Sequence, residues 1–265
     1  MALQKQIWLS DIVEPLFADN TFAARAVDHS AFVTHRTVHV PNAGNPPAVR
    51  KNRSEYPATA ESRKDSDLTY QIAEYTTDPV HLTNAEAVEL SYDKRRSIVG
   101  SVSAALADKV HLDLLSAWIG GAETTKAAKV DRATVLDLAR QLNLQDIPQT
   151  GRCLLLTADQ YAELLRSLTD TESNAFIQSA DAQAGTVGKL YGFDVYQRSG
   201  LGSDAVGALA WQRDCVSRAL GATELFTDDR NPLYYGDILS ALVRAGGAVI
   251  RADKKGVIAV SVGAA

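Results

Sequence analysis

The hexapeptide Gly200-Leu-Gly-Ser-Asp-Ala205 has the spacing of a dinucleotide-binding turn, with alanine in the last place. That chemistry needs a strand before the turn and a helix after it, so that a pyrophosphate meets the helix N-terminus. Residues 206–211, Val-Gly-Ala-Leu-Ala-Trp, read as a strand, so the hexapeptide is expected to be a plain turn. His35 and His39 fall where one strand face would hold both, and no third ligand follows at metal spacing. Asp228 and Asp229 sit with Arg230 and Asn231 in what reads as a polar turn, not an acid/base pair. Cys153 lies in an apolar run and Cys215 at the start of a helix-like run. Neither has a Cys-x-x-Cys partner or a nearby histidine pair, so both are expected to be buried free thiols. No Walker loop, Gly-x-Ser-x-Gly elbow or His-Glu-x-x-His occurs, and no spacing links Ser, Cys and His into a triad. An enzyme would have no residues to stand on, and neither a cofactor nor a metal is expected.

The elements that hold these residues are those of an ordinary globular chain. It has 265 residues, 46% hydrophobic and 22% charged, enough for a sizeable core in one large domain or two small ones. The longest apolar runs fall short of a membrane span, and residues 1–10 lack the basic start and apolar stretch of a secretory signal. The net charge of −5 argues against tight, general nucleic-acid binding. It does not argue against a container whose wall encloses DNA without gripping it.

Residues 1–30 read as an arm, with Trp8, Ile12, Val13, Leu16, Phe17 and Phe22 at mixed helical spacing. Residues 36–40 form a strand ended by Pro41, and residues 68–75 alternate as a second strand. Between them no apolar period survives. Pro41, Pro46, Pro47 and Pro57 punctuate the stretch. Arg50, Lys51, Arg53, Arg63 and Lys64 interleave with Glu55, Glu61, Asp65 and Asp67, and Tyr56 adds an aromatic. Ordinary connections seldom exceed about 12–15 residues, so this excursion reads either as a floppy surface loop or as an arm that becomes ordered on a neighbour.

The next helix carries the strongest period. Ile98, Val102, Leu106, Val110, Leu114 and Trp118 recur every four residues, predicting a helix over 92–119 that Gly120-Gly121 stops. Its length would be about 40 Å. A second helix is expected over 132–142. A buried strand follows at 153–156, then a helix from Thr157 or Asp159 to Leu168, a loop over 169–187 and extended chain over 188–196. A strand over 206–211, helices over 213–220 and 236–244, and a hairpin of 249–251 with 257–262 complete the expectation.

In order, these parts resemble the tailed-bacteriophage major capsid protein family, which shares the Hong Kong 97-like fold. The likeness rests on residues 151–165 (Gly-Arg-Cys-Leu-Leu-Leu-Thr-Ala-Asp-Gln-Tyr-Ala-Glu-Leu-Leu) and 188–196 (Gly-Lys-Leu-Tyr-Gly-Phe-Asp-Val-Tyr). It rests also on 206–219 and 237–253. The resemblance implies an α+β fold with an N-terminal arm over 1–35 and an extended loop over 36–76. It further implies a peripheral domain with a long spine helix over 77–130 and 241–265, and an axial α/β domain over 131–240.

The implied function is a structural one. Copies would assemble through hexamers and pentamers into an icosahedral shell around a double-stranded DNA genome, in the virion, after assembly in a host cytoplasm. The chain would be its own main partner. Portal, scaffolding or decoration proteins are further candidates, and DNA would be enclosed without sequence-specific binding. Contacts between subunits would be carried by Arg50, Lys51, Arg53, Glu55, Tyr56, Glu61, Arg63, Lys64, Asp65 and Asp67 of the loop, and by Trp8, Ile12, Leu16 and Phe17 of the arm. Because the sequence begins at Met1, no N-terminal scaffolding segment is expected to have been cut away. Some relatives cross-link a loop lysine to a neighbour's asparagine; Lys51, Lys64 and Asn52 lie in the corresponding region. An encapsulin-type nanocompartment shell is the nearest alternative.

Overall fold

The computed structural model describes residues 14–18, 20–42, 49, 51–52, 54, 66–83, 94–203 and 205–263. The chain enters through two single-turn 3-10 helices, Glu14–Phe17 and Phe22–Ala24. The short strands β1 (Val27–Asp28) and β2 (Val33–Thr34) follow. Strands β3 (Thr37–Asn42) and β4 (Ser66–Gln71) pair antiparallel from Thr37↔Gln71 out to Asn42↔Ser66. Strand β3 thus runs through Pro41, one residue beyond the expected stop. Strands β5 (Ala73–Thr76) and β6 (Val80–Thr83) precede the long helix α1 (Lys94–Gly121).

The middle of the chain alternates. Strand β7 (Glu123–Ala127) leads to α2 (Arg132–Leu144), whose N-cap Asp131 accepts from the Thr134 amide. Strand β8 (Arg152–Thr157) runs into α3 (Ala158–Ser167), capped by Thr157. A further helix, α4 (Asp170–Gln178), begins with a full capping box of Thr169 and Glu172. Strands β9 (Gly188–Leu190), β10 (Phe193–Arg198) and β11 (Val206–Gln212) come next. The long strands β12 (Val216–Asn231) and β13 (Gly236–Val249) form a hairpin, and β14 (Val257–Val262) closes the described chain.

Two sheets divide the body. One is six-stranded in the order β7-β14-β11-β8-β10-β9, with β8 and β11 at its centre. All seven residues of β11 and five of the six in β8 are buried, as expected of strands covered on both faces. The other is five-stranded: β1-β12-β13-β5, with β6 also on β13. Helix α1 lies against it: Val99, Leu106 and Val110 form a core with Leu225, Ala241, Val243 and Ala245. The approach is close enough that a Cβ on Gly247 would collide with Leu114 and with the Ser217 carbonyl. Trp118 and Trp211, with ring centres 5.6 Å apart, join α1 to the six-stranded sheet, and Phe22 packs edge-on to both.

Several expectations are corrected. Residues 213–220 and 236–244 are not helices; after a short 3-10 turn at Arg213–Cys215 they are strand. Leu239, Ala241, Val243 and Ala245 are buried while the residues between them are less so, which is the period of a strand. Residues 170–178 of the expected loop are helix α4. The closing hairpin of 249–251 with 257–262 does not form, because β14 pairs with β11 and β7. Strand β14 belongs to the six-stranded sheet, and β12 and β13 lie in the sheet beneath α1.

Candidate functional site

The residues with chemical potential are dispersed. Cys153 and Cys215 are buried free thiols, as expected, and burial pushes them up to about 12 and about 11, where a thiol is not a nucleophile. His35 occupies a turn at φ +58°, so it shares no strand face with His39. His39 Nδ1 instead lies 2.8 Å from the exposed Asp67 carboxylate across the β3–β4 pair. Asp228 lies in β12 and accepts from the Asn231 amide. The stretch 200–203 is turn and loop, with Gly202 at φ +77°, and it feeds strand β11 and no helix. Among the described residues no group of three or more His, Cys, Asp and Glu could hold a metal, and no helix is long and apolar enough to cross a membrane.

Surfaces suited to protein contact are more clearly built. The β3–β4 pair brackets residues 43–65 in the sequence, its register running out to Asn42↔Ser66. Val38 and Val40 face inward with Ile72 and Ala219. Ile72 is the junction at which the chain leaves β4 and its three-stranded sheet and joins β5 on the five-stranded one. Its side chain enters a recess that glycine keeps open, since a Cβ on Gly221 would come within 2.7 Å of Ile72 Cδ1. Glu74 fixes the same root electrostatically, accepting from Arg244 and Arg36, each at 2.9 Å. The hydrogen bond from Arg244 leads in holding its carboxyl below the usual range, with the charges of Arg244 and Arg36 adding to it and desolvation opposing.

Of the arm residues expected to meet neighbours, Lys51 is exposed in a turn and Asp67 is paired with His39. Arg50, Arg53, Glu55, Tyr56, Glu61, Arg63, Lys64 and Asp65 lie outside the described residues, as do Trp8 and Ile12. Leu16 is fully buried in the chain's own core with Val99, Leu106 and Val110. Phe17 is half-buried, with the Arg218 guanidinium 4.5 Å above its ring. These two side chains therefore find their packing within one copy.

The sequence reading missed the end of the β12–β13 hairpin. Leu233 is 82% exposed, Tyr234 55% and Tyr235 80%, with Phe226 further down at 49%. Tyr235 is held at φ +51°, a conformation bulky side chains avoid. His81 of β6 reaches the Tyr234 ring at 5.9 Å. The available signal was an aromatic pair between Asn231-Pro232 and Gly236.

No family model matches the sequence, and no curated protein matches it. Solved structures do. The capsid of cyanophage P-SCSP1u superposes with a TM-score of 0.68 at 12% identity, covering 91% of this chain and 87% of that one. A structure from Mycobacterium phage Che8 gives 0.68 at 16% identity, covering 91% and 90%. The virus-like particle from Pyrococcus furiosus gives 0.64 at 10% identity, covering 97% and 99%. With likenesses of this extent, the chain has the fold of tailed-phage capsid proteins.

Proposed function

We propose that this chain is a major capsid protein that self-assembles, through hexamers and pentamers, into an icosahedral shell enclosing double-stranded phage DNA. The observation that carries this reading is the β3–β4 pair on a capsid fold: a paired root, anchored at Ile72 and Glu74, that brackets the long polar stretch 43–65 beside cores already filled. A shell subunit needs several interfaces, each burying about 1,000 Å² or more, and an arm reaches area that a compact body cannot. Closure then multiplies contacts that are weak one at a time. The interleaved charges of 50–67 suit register between neighbours more than raw affinity. In this reading α1 with the β12–β13 hairpin makes the peripheral part, and the six-stranded sheet with α2, α3 and α4 the axial part. The net charge of −5 fits a wall that holds DNA without binding its sequence. Portal, scaffolding and decoration proteins remain partners by proposal, and the role is structural, not catalytic.

An encapsulin-type compartment is the second reading, favoured by the 97% and 99% coverage shared with the Pyrococcus furiosus particle. Electron microscopy of the purified protein, with nucleic acid measured in any particles, tests both. Closed shells are expected. Shells that never take up DNA when made beside a packaging system would favour the compartment, and dispersed monomers at all concentrations would remove both readings.

A further inference from the structure

The segment 14–32 is a strap that crosses every major part of the body. The Leu16 carbonyl meets Nε2 of His111 on α1 at 2.5 Å. The Arg25 carbonyl accepts from Trp211 of the six-stranded sheet, and Arg25 Nε donates to Tyr196. Strand β1 then runs parallel to β12 with Val27 opposite Ser217, and the His29 amide donates to the Arg218 carbonyl.

At that end His29, only 8% exposed, places Nδ1 2.7 Å from the hydroxyl of Ser217, which is fully buried. The same hydroxyl lies 2.6 Å from the Tyr70 phenol, on the β4 strand at the root of the arm. The Ser217 carbonyl accepts from Trp118 of α1. One serine therefore joins strap, arm, hairpin and long helix.

We infer that Tyr70, Ser217 and His29 form a buried hydrogen-bond relay, with neutral His29 as its terminal acceptor, and that protonating His29 loosens the strap and the arm together. Tyr70 O–H donates to Ser217, and Ser217 O–H donates to the His29 lone pair. A proton on Nδ1 removes that acceptor. The Ser217 hydrogen must then turn away from His29, towards an oxygen whose own proton already points back at it. Nδ1–H now donates to Ser217 Oγ, and one of the two hydroxyl hydrogens is left without an acceptor inside the relay, which weakens the link between strap and arm.

The surroundings favour the neutral state. Burial pushes the His29 imidazole below its ordinary value, and the neighbouring Asp28 carboxylate, itself facing Arg218 at 3.7 Å, pulls weakly the other way. Burial also raises the Tyr70 phenol, with the Ser217 bond opposing, so Tyr70 keeps its proton. The sign follows from linkage. A histidine depressed in the folded state contributes stability that is complete above its unfolded value, about 6.5, and is lost as pH falls below it. At the other end of the strap, His111 is lowered by burial first, with Arg198 acting the same way and the Leu16 carbonyl and Asp108 against. Its partners are the Leu16 carbonyl and the Phe22 ring, outside the relay, and it serves as the control.

Hydrogen exchange on the full chain, corrected for intrinsic rates, tests the relay. Between pH 7.5 and 5.5, amides in both 20–34 and 66–72 are expected to speed up by about three- to tenfold. Tyr70→Phe, which removes one oxygen, should leave the strap's response and abolish the arm's. His29→Gln should flatten both, and His111→Gln should leave the arm's response unchanged. Nitrogen shifts of His29 at pH 7.5 should report an unprotonated Nδ1. A flat wild-type profile, an arm response that survives in Tyr70→Phe, or an Nδ1–H tautomer would overturn the inference. None of these outcomes depends on whether the chain builds a shell.

Discussion

The six-stranded sheet and the β12–β13 hairpin dispose of their apolar residues in opposite ways. In the sheet, β8 and β11 are buried along their length, and the helices α2 and α3 begin with side-chain caps on their first amides. The hairpin buries one row, Leu225 with Leu239, Ala241, Val243 and Ala245, and then carries Leu233, Tyr234 and Tyr235 out to solvent. The arm repeats this arrangement, with Val38 and Val40 buried at its root and Lys51 and Asp67 exposed beyond. One region completes its own packing. The other keeps a packed root and an open end, and exposed apolar clusters of that kind commonly mark sites of protein contact.

The contrast predicts where substitutions hurt. Trp211→Ala empties the junction of Phe22, Trp118 and the sheet and removes the hydrogen bond to Arg25. It should cost about 3–5 kcal/mol in urea unfolding. A loss below about 1 kcal/mol would mean that the sheet does not carry the fold. Thr169→Ala removes the cap of α4 at the sheet's margin and should cost about 1 kcal/mol, read the same way. Leu233→Ser with Tyr234→Ser should move stability by no more than about 0.5 kcal/mol, because the groups removed touch little of their own chain. Under the shell reading the same pair should lower the yield of particles. Particles at the wild-type yield would assign the hairpin's end no part in assembly.

What the sequence disclosed follows the same division. Helix α1 was legible because an apolar residue every fourth position has one explanation; of that series Leu106, Val110, Leu114 and Trp118 are buried, and Ile98 and Val102 half-buried. The strands β8 and β11 and the paired root of the arm were legible too. The hairpin was not. Residues 237–244, Asp-Ile-Leu-Ser-Ala-Leu-Val-Arg, fit a helical period locally, and Ala219, Ala241 and Ala245 lack the bulk that usually marks strands. What decides their state is antiparallel pairing from Val216↔Val249 to Asn231↔Gly236, a tertiary fact. Helix α4 was overlooked for its polarity, although Thr169 and Glu172 spelled a capping box. The relay could not be read at all, since His29 and Tyr70 are 188 and 147 residues from Ser217.

Deletion of residues 48–66 tests the central claim most directly. The account predicts that the shortened chain folds to a monomer with its sheets and α1 intact by circular dichroism, and that electron microscopy finds closed shells for the full chain and none for the deletion. Normal particles from the deletion would contradict it.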